Sequence, residues 1–456
     1  MRAKHTMDLT NGPVFKQFIV FSLPILANAL LQQLYGAADT VVVGKFASAT
    51  ALAAVGATGS LIALLIGLFN GLSIAANIIC ANYFGARKQR ELRRCMHSSL
   101  MLALFGGMGM GIVGFVLARP LLQLMSCPEN VIDQSVLYMK IYFCGVPASM
   151  IFNFSASILR AHGDTKRPMV ILTITGMINV LLNLVFVIVF HWDVAGVALS
   201  TIISQYVSAV ALIIILFSPK DEYGMKVKEL RLDKKDLKAL VSKGVPTGLN
   251  GITFSVSNVI LQSTINTFGD VTIAGYAASA SLIGFIAQIA ASFYTGCVSF
   301  SGQCFGAKKY DRIDRLIVSS IICGTVGISL MCLVLTTMPD FWLSLYTNSQ
   351  AVREAGRDYL MVVGWSYLLY NVTDSATGCL RGMGQSVGPT VLNVGGICIS
   401  RLIWIFFIFP LNPTPAMLFL CFPISYVLSA AAQMTYFLWC RKHIRRDMGT
   451  ETVEAL

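Results

Sequence analysis

Residues 81–88 read ANYFGARK, and residues 302–309 read GQCFGAKK. The second stretch echoes the first at a spacing of 221, and each follows a long apolar run. Further along each half, RAHGDTKRP at 160–168 returns as RGMGQSVGP at 381–389, with Arg, Gly and Pro in register, again at 221. Tyr138 and Tyr359 keep that spacing, and Pro24 and Pro246 lie 222 apart. A near-constant spacing across four landmarks marks a chain built from two similar halves.

The composition says what each half is made of. Of 456 residues, 55% are hydrophobic and only 12% charged, with a mean hydropathy of +0.70. Soluble domains carry about 25% charged residues, and a chain at half that level cannot cover its surface with polar groups. This excludes a soluble enzyme, a disordered chain and a disulfide-stapled secreted domain. Apolar runs long enough to cross a bilayer recur twelve times, at 15–43, 51–82, 95–118, 132–158, 168–190, 194–217, 237–267, 272–302, 313–337, 356–380, 388–410 and 415–440. Each holds the roughly 20 apolar residues of a spanning helix. None shows the two-residue alternation of a membrane strand, and backbone groups in lipid must be paired internally. The expected fold is therefore all-α, with six spans per half. An even number makes both halves enter the membrane in the same direction, related by an axis along its normal. The expected organisation is an N-terminal tail 1–14, a first bundle 15–217, a basic linker 218–236, a second bundle 237–441 and a C-terminal tail 442–456.

Loop charge sets the orientation. With the N-terminus in the cytoplasm, 28 of the 34 Lys and Arg fall on the cytoplasmic side and 4 on the other, with Lys140 and Arg401 within or near spans. That bias predicts a multi-pass protein of the cell (inner) membrane with both termini cytoplasmic. The net charge of +12 follows from these loops, so a nucleic-acid partner is not expected. The polar stretch up to Pro13 has no signal-peptide character, and the first run is too long for one. The twelve cysteines form no CxxC pair and read as small core residues. All five histidines sit at span ends or in loops, where they are expected to be solvated.

Two duplicated bundles are the architecture of transporters, whose sites lie between repeats. No phosphate-binding loop of the G-x-x-x-x-G-K-[ST] kind occurs, and no histidine cluster offers a metal site in the membrane. Uphill transport would thus draw on an ion gradient, worth about 2.3 kcal/mol per elementary charge at 100 mV. No cofactor is expected.

Acids inside a membrane cost roughly 2.5–3.5 kcal/mol near a helix centre and are usually functional. Two candidates stand out. Asp39 on the first span is preceded at helical spacing by Tyr35, Gln32 and Asn28, which places all four on one face. The second span offers Asn70, Ser73 and Asn77. Thr175, Asn179 and Asn183 follow at four-residue intervals on the fifth, and Thr201, Gln205 and Ser208 mark the sixth. Burial disfavours a charged carboxylate, and a proton or a bound cation relieves that cost, so Asp39 is the candidate coupling residue. Structural amides that only hold helices together are the competing reading. The second half departs from this pattern: Asn250, Phe254, Ser257 and Leu261 stand at the positions of Asn28, Gln32, Tyr35 and Asp39. Its acid is Asp374 on the tenth span, with Arg401 on the eleventh as its expected ion-pair partner. Pro24, fifteen residues before Asp39, removes a backbone hydrogen bond and can kink the first span.

These residues carry a family resemblance. LPILANALLQQLYGAADTVVVGKF from Leu23, ALAAVG from Ala51, the FGARK and FGAKK turns and LRGMGQ from Leu380 resemble the multidrug and toxic compound extrusion (MATE) transporters over about 14–442. The resemblance implies twelve helices in two lobes arranged as a V, and export of small cationic amphipathic compounds in exchange for H+ or Na+. It implies that Asp39 is the coupling acid, with Asn179, Asn183 and Thr201 lining the first lobe's cavity and sodium, if it is the ion, held at Asp39, Asn179 and Asn183. Asn28, Gln32, Tyr35, Asn70 and Gln205, with Asp374 and Arg401 in the second half, are the candidate substrate contacts. Some members carry an aspartate where Asn183 stands. Another branch carries a glutamate at the position of Ser255, and Asp374 is similar to a tenth-helix acid of that branch. Two other functions fit the same composition: a flippase for lipids or lipid-linked oligosaccharides, and a non-transporting membrane receptor.

Overall fold

The computed structural model describes residues 6–46, 49–125, 129–218 and 225–454, and every regular element among them is helical. Twelve helical rods follow one another: α1 (Val14–Phe46), α2 (Ala49–Gly85), α3 (Gln89–Leu124), α4 (Glu129–Ala161), α5 (Lys166–Leu184), α6 (Asp193–Leu216), α7 (Lys234–Ile265), α8 (Asp270–Gly306), α9 (Tyr310–Thr337), α10 (Gln350–Gly382), α11 (Val387–Leu411) and α12 (Cys421–Glu454). Among the described residues ten helical segments are long and apolar enough to cross a membrane. The rods that fall short, α7 and α10, explain themselves by composition. The first carries lysines, serines and asparagines around Pro246, and the second buries a polar run from Asn371 to Thr377.

Several of the helices are not uniform. A π-helical turn, Val185–Val189, prolongs α5 directly after Asn183 and Leu184. Two more, Val394–Ile399 and Trp404–Ile408, interrupt α11 on either side of Arg401. Such turns widen the backbone by one residue and are frequent at functional sites.

The chain groups into two compact units. Unit 1 comprises Met1–Ile252 with Gly302–Lys309, and unit 2 comprises Thr253–Ser301 with Tyr310–Leu456. In unit 1, α4 is the central rod and packs on α2, α3 and α6, while α1 lies against α5. Its apolar core runs through Ile79, Met96, Met139, Phe143, Met150 and Phe154, all buried. In unit 2, α10 packs on α9 and α12.

The repeated turns meet inside unit 1. A Cβ on Gly85 would lie 2.0 Å from the carbonyl oxygen of Gln303, and one on Gly306 would lie 2.0 Å from that of Asn82. Asn82 and Gln303 are themselves 221 apart, so the contact is reciprocal, as a two-fold relation requires. Only glycine lets the two backbones come this close. Each turn then closes on a residue in the left-handed region, Arg87 at φ 57° and Lys308 at φ 56°. Gln303 also accepts from the Leu9 N–H (3.1 Å) and donates to the Ala161 carbonyl (2.8 Å), which ties the N-terminal segment to this junction.

Of the eleven described cysteines, all are free and nine are buried; Cys144 is exposed and Cys323 half-buried. The expectation of solvated histidines is corrected at two positions. His97 and His162 are buried, their Nδ1 atoms paired with the carbonyls of Arg93 (2.7 Å) and Ile158 (2.8 Å), one helical turn back.

Candidate functional site

In unit 1 the polar faces of α5 and α6 meet. Thr175, Asn179 and Asn183 are all buried, as four-residue spacing on an amphipathic face demands. They form three rungs to the antiparallel α6. Ser208 Oγ donates to Thr175 Oγ1 (2.7 Å), Asn179 Nδ2 donates to Thr201 Oγ1 (3.5 Å), and Ser200 Oγ donates to Asn183 Oδ1. Thr175 and Thr201 return their own hydroxyl protons to carbonyls of their own helices, those of Ile171 (3.0 Å) and Val197 (2.9 Å). Interhelical hydrogen bonds of this kind average about 0.6 kcal/mol each in membranes. The ladder therefore positions the helices more than it stabilises them.

Tyr35 joins α1 to this ladder. Its hydroxyl donates to the Thr173 carbonyl (3.1 Å), and its ring lies over Gly176, where a Cβ would fall within 1.9–2.5 Å of ring carbons. Asp39 is one helical turn further along α1, but its side chain lies outside the described residues. Among the described residues of this unit, four side-chain amide oxygens are buried without a hydrogen-bond donor: Asn28 Oδ1 on α1, Asn82 Oδ1 on α2, Gln134 Oε1 on α4 and Gln205 Oε1 on α6. An unpaired buried acceptor costs about 1–3 kcal/mol, a cost that a bound N–H donor or cation removes. Gln32 and Asn70 are exposed, and the Asn70 carbonyl accepts from Ser73 Oγ (2.8 Å).

In unit 2 the expected Asp374–Arg401 ion pair is not formed. Arg401 is 1% exposed. Its guanidinium stacks 4.3 Å from the Phe422 ring centre, 5.2 Å from Tyr426 and 5.3 Å from Phe254, while Nε donates to Ser425 Oγ (3.2 Å) and Nη1 to Asn258 Oδ1 (3.5 Å). A planar, weakly hydrated cation suits an aromatic cage. The polar neighbours of Asp374 are instead Arg381, two turns along the same helix, and Tyr370, one turn back. Arg381 is in turn held by the Tyr294 hydroxyl (2.6 Å) and Thr390 Oγ1 (3.2 Å).

A family model, MatE, matches residues 24–185 and again residues 246–407. The chain belongs to the MatE family. It is accordingly a multi-pass membrane transporter and not an enzyme. The two matches begin 222 residues apart, as Pro24 and Pro246 do. Among curated relatives, the MatE chain is 26% identical over 399 residues to the probable multidrug resistance protein YoeA of Bacillus subtilis (strain 168), covering 86% of each. It is 25% identical over 411 residues to the multidrug export protein MepA of Staphylococcus aureus (strain bovine RF122 / ET3-1), covering 89% of this chain and 90% of that protein. Among solved structures, an outward-facing multidrug resistance MATE family transporter of the MOP superfamily superposes with a TM-score of 0.91 at 19% identity, covering 98% of this chain and all of that one. A MOP superfamily transporter from Pyrococcus furiosus, described as having a binding pocket of reverse polarity, gives 0.89 at 20% identity, covering 97% and 99%. At these identities the superpositions establish the shared all-helical fold.

Sequence reasoning selected Thr201 on α6 but missed its neighbour Ser200, the actual partner of Asn183. The signal was present, because Ser200 and Ser208 are eight residues apart and share a face. The aromatic cage was also missed: its rings come from α7 and α12, and no periodicity along α11 points to them.

Proposed function

We propose that the protein is a secondary active multidrug efflux antiporter of the cell membrane, exporting small cationic amphipathic compounds in exchange for H+ or Na+. The coupling residue is Asp39, assisted by Asn179, Asn183 and Thr201. Asn28, Gln32, Tyr35, Asn70 and Gln205, with Asp374 and Arg401 in the second half, make the substrate contacts. The chain is divided as 15–217 and 237–441 with a linker at 218–236, and both termini are cytoplasmic. Relatives named for multidrug resistance and export along most of their length support the substrate class.

The observation that carries the reading is chemical. Unit 1 is apolar, yet it contains a polar ladder on α5 and α6 and, on the flanking α1 and α6, the buried amide oxygens Asn28 Oδ1 and Gln205 Oε1, for which no donor is found among the described residues. Such acceptors suit a cation or an ammonium group. Proton or sodium entry at Asp39 competes with the cationic substrate, so that the two occupancies exclude one another. Export follows when the ion and the substrate prefer opposite members of the inward and outward pair of states.

The test is uptake of a fluorescent lipophilic cation into vesicles holding the purified protein, with sodium and proton gradients imposed separately. Uptake driven by at least one of the two is expected. A receptor gives no uptake and no counterflow of labelled cation under either gradient. A flippase instead moves labelled lipid between leaflets.

A further inference from the structure

A cavity of about 850 Å³ lies between the start of α3 and the linker. Arg90 and Arg93 from α3 line it, with Lys228 and Arg231 from the linker; Arg94 and His97 form its inner wall. Two acids, Glu91 and Glu229, also face it. Glu229 is engaged by Lys226 at 3.5 Å, a lysine outside the lining.

The cavity is a built feature rather than an accident of surface side chains. Arg94 grips the buried Asp236 with both Nε (2.8 Å) and Nη2 (3.2 Å). His97 is buried, donates through Nδ1 to the Arg93 carbonyl (2.7 Å) and accepts through Nε2 from the Lys226 N–H (3.2 Å). Ser98 Oγ accepts from the Asp233 N–H (3.2 Å). The partly exposed Arg94 and the buried His97 and Ser98 thus strap the linker to α3 and hold cations from two distant segments around one space. Asp236 neutralises Arg94, which leaves Arg90, Arg93, Lys228 and Arg231 in excess over the acids. The apolar stretch of α3 begins at Cys95, so the cavity stands at the membrane–water boundary.

We propose that this cavity binds a phosphate-bearing anion at the membrane surface, with Arg90, Arg93, Lys228 and Arg231 as its ligands. Guanidinium forks match phosphate oxygens two at a time. The volume lies within the 300–1,000 Å³ range of small-ligand sites and accommodates a glycerophosphate headgroup. Basic pockets at the ends of spanning helices draw anionic headgroups at roughly fivefold in affinity per basic residue. An occupant would clamp the linker to α3. The proposal stands independently of the export reading.

The experiment uses the full-length chain. Arg90, Arg93 and Arg231 are changed together to Gln, with the anchors Arg94, His97 and Asp236 left in place. A second variant carries Lys at the same three positions, and a third carries Arg231→Gln alone. Inorganic pyrophosphate is titrated calorimetrically in detergent. Phosphatidylglycerol and phosphatidylcholine retention from mixed nanodiscs is read by native mass spectrometry. The expected result is binding of at least one phosphate probe by the wild type. That binding should weaken on the order of a hundredfold in the triple Gln variant, about fivefold in Arg231→Gln, and less than tenfold in the Lys variant. Retention of phosphatidylglycerol without pyrophosphate binding assigns a lipid headgroup, and the reverse assigns a soluble phosphate ester. Equal binding by wild type and both Gln variants overturns the proposal, as does a wild type that binds neither probe.

Discussion

Replacing Gly85 by Ala tests the reciprocal junction of the two repeated turns. The new methyl would sit 2.0 Å from the Gln303 carbonyl oxygen, 2.8 Å from its carbon and 2.9 Å from its Cα. All three are backbone atoms, so no rotamer change relieves the clash, and the ends of the two helices must move apart by more than 1 Å to restore ordinary contact. Overpacking of this kind costs about 1–3 kcal/mol, and the absence of a side-chain escape places it in the upper part of that range. The helix-propensity gain of Ala over Gly, at most about 1 kcal/mol and less at a helix end, offsets part of it. The net expectation is a loss of about 1–2 kcal/mol. Gly306→Ala meets the Asn82 carbonyl at the same 2.0 Å and should lose as much. The double variant should lose less than the sum, because one separation relieves both clashes. Gly109→Ala serves as the control: it has nothing within 4 Å and should be neutral or slightly stabilised. Thermal unfolding of the purified protein in detergent, followed by intrinsic fluorescence, reads all four. Unchanged or raised stability of Gly85→Ala, with Gly109→Ala behaving as expected, refutes the close approach.

Further outcomes are expected. Gly176→Ala should displace the Tyr35 ring and slow export, and Tyr35→Ala in the same chain should remove most of the added stability loss; additive losses in thermal unfolding would contradict this contact. In double-mutant cycles, Asp374→Asn should couple to Arg381→Gln by more than about 1 kcal/mol and to Arg401→Gln by under about 0.5 kcal/mol; the opposite ranking would restore the ion pair expected from sequence. Partial desolvation raises the pKa of Asp233 in the linker, but the N–H groups of Lys235 (2.9 Å) and Asp236 (3.4 Å), with Arg94 and Arg231 nearby, outweigh it and hold the carboxyl below its ordinary value. A depressed pKa contributes stability above the ordinary value, so its contribution should begin to fall as the pH drops to about 4 and be gone only below the depressed folded value. An acid titration of unfolding midpoints for Asp233→Ala should therefore converge with the wild type at the acid end and diverge above it.

The fold was legible because its determinants are local. Bilayer thickness sets the length of each apolar run, and a repeated turn such as FGARK carries its spacing in the sequence. The α5 face was legible for the same reason, since Thr175, Asn179 and Asn183 are one helical turn apart and an apolar helix turns its polar stripe inward. What crosses between helices was harder to read. The Asp374–Arg401 pairing came from charge matching alone, and the cage around Arg401 depends on rings from Phe254, Phe422 and Tyr426 that only packing brings together. The π-helical turns flanking Arg401 leave no periodic signature. His97 looked solvated because it opens a span near charged residues, yet the linker folds back over it and supplies its partner at Lys226.

Coupling through Asp39 is tested most directly by neutralising its carboxylate. Vesicles containing Asp39→Asn should show no uphill movement of a lipophilic cation under either imposed gradient, while counterflow of labelled against unlabelled substrate persists and shows an inserted, substrate-competent protein. Undiminished gradient-driven efflux by that variant would contradict coupling through this carboxylate.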